Sequence, residues 1–183
     1  MTMARWAYIT AVFVALAAWA GAQGPGAAPA PLSPADQLRL LKANGTLIDN
    51  LVDHGVQLSR ADTPEDRAQQ CHKAARVLAS AAQHAADRQE AERVAELTGL
   101  FHNVVRDALL PTLADGNRLV TPGSPSERKL LETHAALVQD VRDLKAAIPT
   151  TGKVAENDRV RAELKKLNEL GEMKLPAGRR PND

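Results

Sequence analysis

Aromatic residues are nearly absent from this chain. It holds two Trp, one Tyr and two Phe in 183 residues, and Trp6, Tyr8, Phe13 and Trp19 all stand before position 20. Phe101 alone remains beyond them. Stacking platforms for single-stranded nucleic acid, aromatic cages for cations and the Trp or Tyr anchors of tight interfaces are therefore excluded from the body of the chain. Cysteine is as scarce: Cys71 is single, so no disulfide forms within the chain. An excess of one charge is missing too. The 23 basic and 22 acidic residues are spread without blocks, a surface that favours neither nucleic acid nor an anionic membrane. No alternating strand pattern occurs after the N-terminal stretch, and β-branched residues are sparse there, which predicts an all-α fold.

What is present begins with a leader. Arg5 precedes an uncharged, mostly apolar run from Trp6 to Ala20, and Ala18-Trp19-Ala20 and Ala20-Gly21-Ala22 supply small-x-small cleavage patterns. The reading is a signal peptide over residues 1–22, cut after Ala22, and an exported protein, periplasmic or secreted. A retained anchor is the competing reading. A spanning helix needs about 20 apolar residues, and Gly21, Gly24, Pro25 and Gly26 interrupt the run before that length. Residues 23–32, rich in Pro, Gly and Ala, read as a linker, residues 33–175 as one helical domain, and residues 176–183 as a disordered tail.

Three segments open with one local device: Ser33-Pro34-Ala35-Asp36, Thr63-Pro64-Glu65-Asp66 and Ser124-Pro125-Ser126-Glu127. A hydroxyl caps free N–H groups, Pro presets φ in the first turn, and an acid complements the helix dipole. Apolar residues follow at three-and-four spacing. Leu38, Leu41, Ile48, Leu51 and Val52 mark the first helix, with Asn44 and Gly45 as an interruption. Cys71, Ala74, Leu78, Ala81 and Ala85 give the second a seam of small side chains, which lets helices approach closely. A break is placed near Asp87, after which Val94, Leu97, Phe101, Val104 and Ala108 continue to Pro111. Asp115-Gly116 and Pro122-Gly123 mark the stretch from Pro111 to Ser124 as a loop. Leu130, His134, Leu137, Val141, Leu144 and Ile148 form the most regular seam, and Val160, Leu164, Leu167 and Leu170 define a last helix from about Ala155 to Glu172. The architecture these patterns predict is an antiparallel up-and-down bundle of four main helices plus a C-terminal fifth. The second reading is an elongated helical hairpin that completes its thin aliphatic core by dimerising.

Catalytic and cofactor chemistry find little to stand on. None of the five histidines lies three or four residues from another, as a ligand pair on one helix face requires, and no haem-attachment motif occurs. His134 is the histidine inside an apolar seam, so it is the core candidate. It reads first as a hydrogen-bonded histidine at the core edge. In a metal-binding alternative it would join Cys71 or His102 across helices. Cys71, on a small-residue seam with no close cation, reads as a small hydrophobe. Ser33 and Ser124 read as caps; Ser59, Ser80 and Ser126 lie in no nucleophile elbow. Glu163, Glu169 and Glu172 read as a solvated face, and Asn44-Gly45-Thr46 is a sequon placed inside a helix. The expectation is therefore a non-enzymatic exported protein without cofactor. It acts on an unidentified protein partner or as a homodimer, with no nucleic acid and no membrane insertion once the leader is cut. A periplasmic metal- or small-ligand-binding bundle is the alternative.

Overall fold

The computed structural model describes residues 34–171. The leader, the linker, Ser33 and the C-terminal tail lie outside the described residues. The chain divides between Leu41 and Lys42 into two units; of the first, the described part is the opening of helix α1, and the packing below concerns the second. All regular structure among the described residues is helical. The helices are α1 (Pro34–Arg60), α2 (Pro64–Asp87), α3 (Ala91–Val104), a π turn (Val105–Leu109), α4 (Leu110–Leu119), α5 (Pro125–Ala147), α6 (Gly152–Glu156) and α7 (Asp158–Gly171).

Two of the three expected caps lie within the described residues, and both form. Thr63 Oγ1 accepts from the Asp66 N–H at 3.1 Å, and Ser124 Oγ accepts from the Glu127 N–H at 3.2 Å. Each satisfies a donor that the first turn leaves free. The two starts also touch, since Ser126 Oγ donates to Glu65 Oε1 at 2.6 Å. Asn157 Oδ1 does the same work for α7, accepting from the N–H groups of Arg159 and Val160.

The break after Asp87 is a helix C-cap without glycine. Gln89 takes the left-handed conformation, φ 58°. The Glu90 N–H returns to the Ala85 carbonyl at 3.0 Å and the Gln89 N–H to that of Ala86 at 2.9 Å. This double closure is the Schellman arrangement with Gln where Gly is usual.

The loop expected from Pro111 to Ser124 is instead helical as far as Leu119. Phe101, Val105, Leu109 and Leu113 are all fully buried and follow one another by four residues. Such a series drifts about 40° per step around an ideal α-helix. The wider π turn takes up the drift, with the Leu110 N–H reaching the Val105 carbonyl five residues back. Pro111 follows this turn with no N–H to place, so it does not end the helix. The same widening buries Val105 and Leu109 where the spacing alone expected Val104 and Ala108, which are half-buried.

Gly116 is likewise not a turn residue. A Cβ there would stand 3.0 Å from the Pro64 Cβ and 3.1 Å from a methyl of Leu130, so α4 approaches the starts of α2 and α5 through this position. Gly116→Ala gains helix propensity but must displace a rigid proline ring. We expect a net loss of about 1–2 kcal/mol in urea unfolding; a stabilised variant would refute the close approach.

α2 is the central element of the second unit, packed against α3, α4 and α5, while α7 packs against α3 and α5. Ala68, His72, Ala75, Ala79, Ala82 and Ala86 of α2 are all buried at alternating four-and-three spacing, beside Cys71, Leu78 and Ala85. Two seams on one helix follow from neighbours on two sides. The chain directions alternate along the sequence, yet the side-by-side pairs include helices of like direction. Glu65 meets Ser126 and His72 meets Asp140, so α2 and α5 run the same way. Glu92 meets Arg159 and Gly99 meets Glu163, so α3 and α7 do too. α1 differs from every other long helix: none of its described side chains is fully buried.

Candidate functional site

The three residues set aside as candidate ligands stand on three helices, and the described residues contain no group of three His, Cys, Asp or Glu that could hold a metal ion. Cys71 on α2 is buried, and burial pushes its thiol up to about 11. His102 on α3 is buried, with Nδ1 3.4 Å from Asn103 Oδ1. His134 on α5 is half-buried, although the other five members of its seam are buried. The structure does not bring these three together.

The Cys71 thiol has a direct consequence. A pKa above its ordinary value means that the folded state disfavours the thiolate, so the associated stability is whole below the unfolded-state pKa of about 9 and disappears as pH passes about 11. At pH 8 a thiol reagent should label Cys71 only as fast as the chain unfolds, and adding urea should raise the rate in step with the unfolded fraction. Rapid labelling of the native chain would contradict this.

Of the two buried histidines, His72 is the one that ties two helices together. Its Nε2–H donates to Asp140 Oδ2 at 2.7 Å, joining α2 to α5, with the side chains 10% and 21% exposed. Arg76, one turn further along α2, approaches the same oxygen at 3.8 Å from the solvent side. A His–carboxylate pair is the orienting half of a nucleophilic triad, but among the described residues no hydroxyl hydrogen-bonds to either member and the adjacent thiol is held protonated. Chemically the pair is a tie between helices. Its signal in the sequence was the four-and-three run of alanines containing His72. Alanine sits equally well inside and outside, so the run did not register as a seam.

Glu163 departs from the solvated face on which it was placed with Glu169 and Glu172. Its side chain is 13% exposed, one oxygen is held by Lys166 at 2.7 Å, and the carboxylate lies over Gly99, 3.4 Å from where a Cβ would stand. α3 and α7 thus meet at a glycine.

Between α1 and the α2–α3 pair lies an open cleft of about 390 Å³ with mixed lining that includes Asn50, Ser80, His84, Val77 and Leu97. Both arginines that line it are engaged, and Arg88 donates to Glu90 at 2.8 Å. Arg93 donates to Asn44 Oδ1 at 2.5 Å and to Glu96 at 2.6 Å, so the guanidinium fixes α1 rather than awaiting an anion. Asn44, the sequon residue, is helical and holds this contact.

Another side of α1 carries a row of uncovered aliphatic side chains. Leu47, Leu51 and Leu58 pack against the core, whereas Ile48, Val52 and Val56 are 44%, 54% and 41% exposed. Steps of four place these three on one outward face. The glycines of this helix, Gly45 and Gly55, have nothing within 4 Å of where a Cβ would stand. No described helix is long and apolar enough to cross a membrane. The chain matches no protein-family model, no curated protein and no solved structure.

Proposed function

We propose that this is an exported, non-enzymatic protein, a helical bundle that acts through protein contacts as an adaptor, assembly factor or structural element of the cell envelope. The observation that carries the reading is α1, which presents aliphatic side chains on two faces. One is seated on the core, and the other, Ile48, Val52 and Val56, is open to solvent. Aliphatic rows of this kind are what an associating helix buries on its partner.

A photo-crosslinking residue placed at Val52, with the chain expressed from its own leader, tests the proposal. Discrete adducts heavier than the chain are expected from position 52 and none from exposed Lys145 on α5. No adduct from position 52, or equal yields from both, would refute it. N-terminal sequencing of the recovered chain checks the export half: the first residue should be Gln23.

A further inference from the structure

Resting on the reading of α1 as a contact surface, we infer that its occupant is a second copy of α1, paired antiparallel across a two-fold axis between Thr46 and Leu47. Gly45, Ile48, Val52 and Gly55 follow three-and-four spacing, and in the sequence the same spacing runs back through Leu41 and Leu38. This is the spacing found along the seam of a two-stranded helical pair. Its composition is unusual for an exposed helix face. Glycine in a helix interior weakens the helix, and nothing in the chain's own packing requires it at 45 or 55, since both Cβ sites are open.

An antiparallel pair can set this seam against itself in registers one heptad apart, and charge distinguishes them. Lys42, Asp49 and Asp53 are all exposed on one flank of the seam. With Ile48 opposite Val52 of the second copy, Gly45 would face Gly55, and Asp49 would lie on the same flank as Asp49 of the second copy with no cation between them. Shifted by one heptad, Ile48 enters the space over Gly45 of the second copy and the reverse. Lys42 then stands beside Asp49, with Asp53 next along, and the two-fold axis makes this happen twice. A parallel in-register pair places Asp49 opposite Asn44 and leaves Lys42 without an acid. Flanking charges select orientation and register in this way in helical pairs.

Sedimentation velocity on the chain as it is recovered after expression from its own leader tests the pairing. We expect a dimer that Ile48→Asp abolishes. Gly45→Leu should abolish it too with helical content retained, because the space at 45 is open within the chain. Lys42→Glu and Asp49→Lys should each weaken the dimer about tenfold, and the double variant should recover to within about threefold of the parent. A dimer that survives Ile48→Asp, or a double variant that fails to recover, would overturn the proposal. So would a chain that stays monomeric, including one that sediments with anionic phospholipid vesicles instead. Should the chain be monomeric while position 52 still crosslinks to a different protein, self-pairing fails and the protein-contact reading stands; with no adduct from position 52, that reading fails as well.

Discussion

Replacing Phe101 by alanine should cost about 3–5 kcal/mol of unfolding free energy, the largest single-site effect we expect in this chain. Phe101 is the only aromatic residue among the described ones, and it is fully buried. The rest of the buried core is Ala, Val and Leu apart from Cys71 and Ile148, with α2 contributing mainly alanines. A cavity left by truncation closes only if neighbours can reach into it. Alanine has no rotamers to offer, and Val94 and Val105 are restricted at χ1. Since domains of this size are stable by about 5–15 kcal/mol, the variant should be near the edge of folding. Phe101→Leu keeps most of the volume and should lose about 1.5 kcal/mol or less. Urea titrations followed by far-ultraviolet circular dichroism give both values. Equal losses would mean that the ring's shape matters rather than its volume, and a loss below 1 kcal/mol for alanine would mean that the site collapses.

The legibility of this fold followed the size of the side chains. α5 could be read directly because Leu130, Leu137, Val141, Leu144 and Ile148 are large, regularly spaced and buried. α2 could be placed by Thr63 and Pro64, and one of its seams by Cys71, Leu78 and Ala85, which are buried, but its second seam could not, because alanine does not say which face is inside. Its neighbours on two sides emerge only in three dimensions. The rod from Ala91 to Leu119 was misjudged at Pro111 and Gly116, two residues that usually end helices. At Pro111 a π turn removed the need for a donor; at Gly116 the missing Cβ serves packing against Pro64 and Leu130. For the candidate site the error had the same origin. His134 stood among large apolar residues and drew attention, whereas His72, among alanines, did not. The double character of α1 was partly visible, since Ile48 and Val52 were grouped with Leu51 as one seam. The structure separates them, setting Leu51 inward and the other two outward.

His72 and Asp140 supply the second large effect, and it concerns how α5 is held. Asp140→Ala should destabilise the chain by about 1–3 kcal/mol, because the Nε2–H of a buried imidazole then has no acceptor. His72→Ala should cost a similar amount, removing the ring from the seam and leaving the carboxylate half-buried. The double variant should cost clearly less than the two added together. A coupling of about 1–2 kcal/mol is expected from a direct, poorly hydrated hydrogen bond, whereas residues that merely neighbour each other add within about 0.5 kcal/mol. Arg76→Ala gives the control. Its side chain is 66% exposed and 3.8 Å from the shared oxygen, so its loss should stay within about 0.5 kcal/mol. The direction of the helices explains why such a tie is useful here. α2 and α5 run the same way with the α3–α4 rod between them in sequence, so no short loop sets how far one slides along the other. The alanine seam offers few knobs to fix that slide. The Glu65–Ser126 contact holds the starts of the two helices, and a second polar contact further along, between His72 and Asp140, fixes their register. If this is what the pair does, Asp140→Leu, which fills the space but donates and accepts nothing, should leave helical content intact. It should also raise hydrogen exchange along α5 beyond position 140 more than Arg76→Ala does. Uniform exchange along α5 in that variant would show that packing alone sets the register.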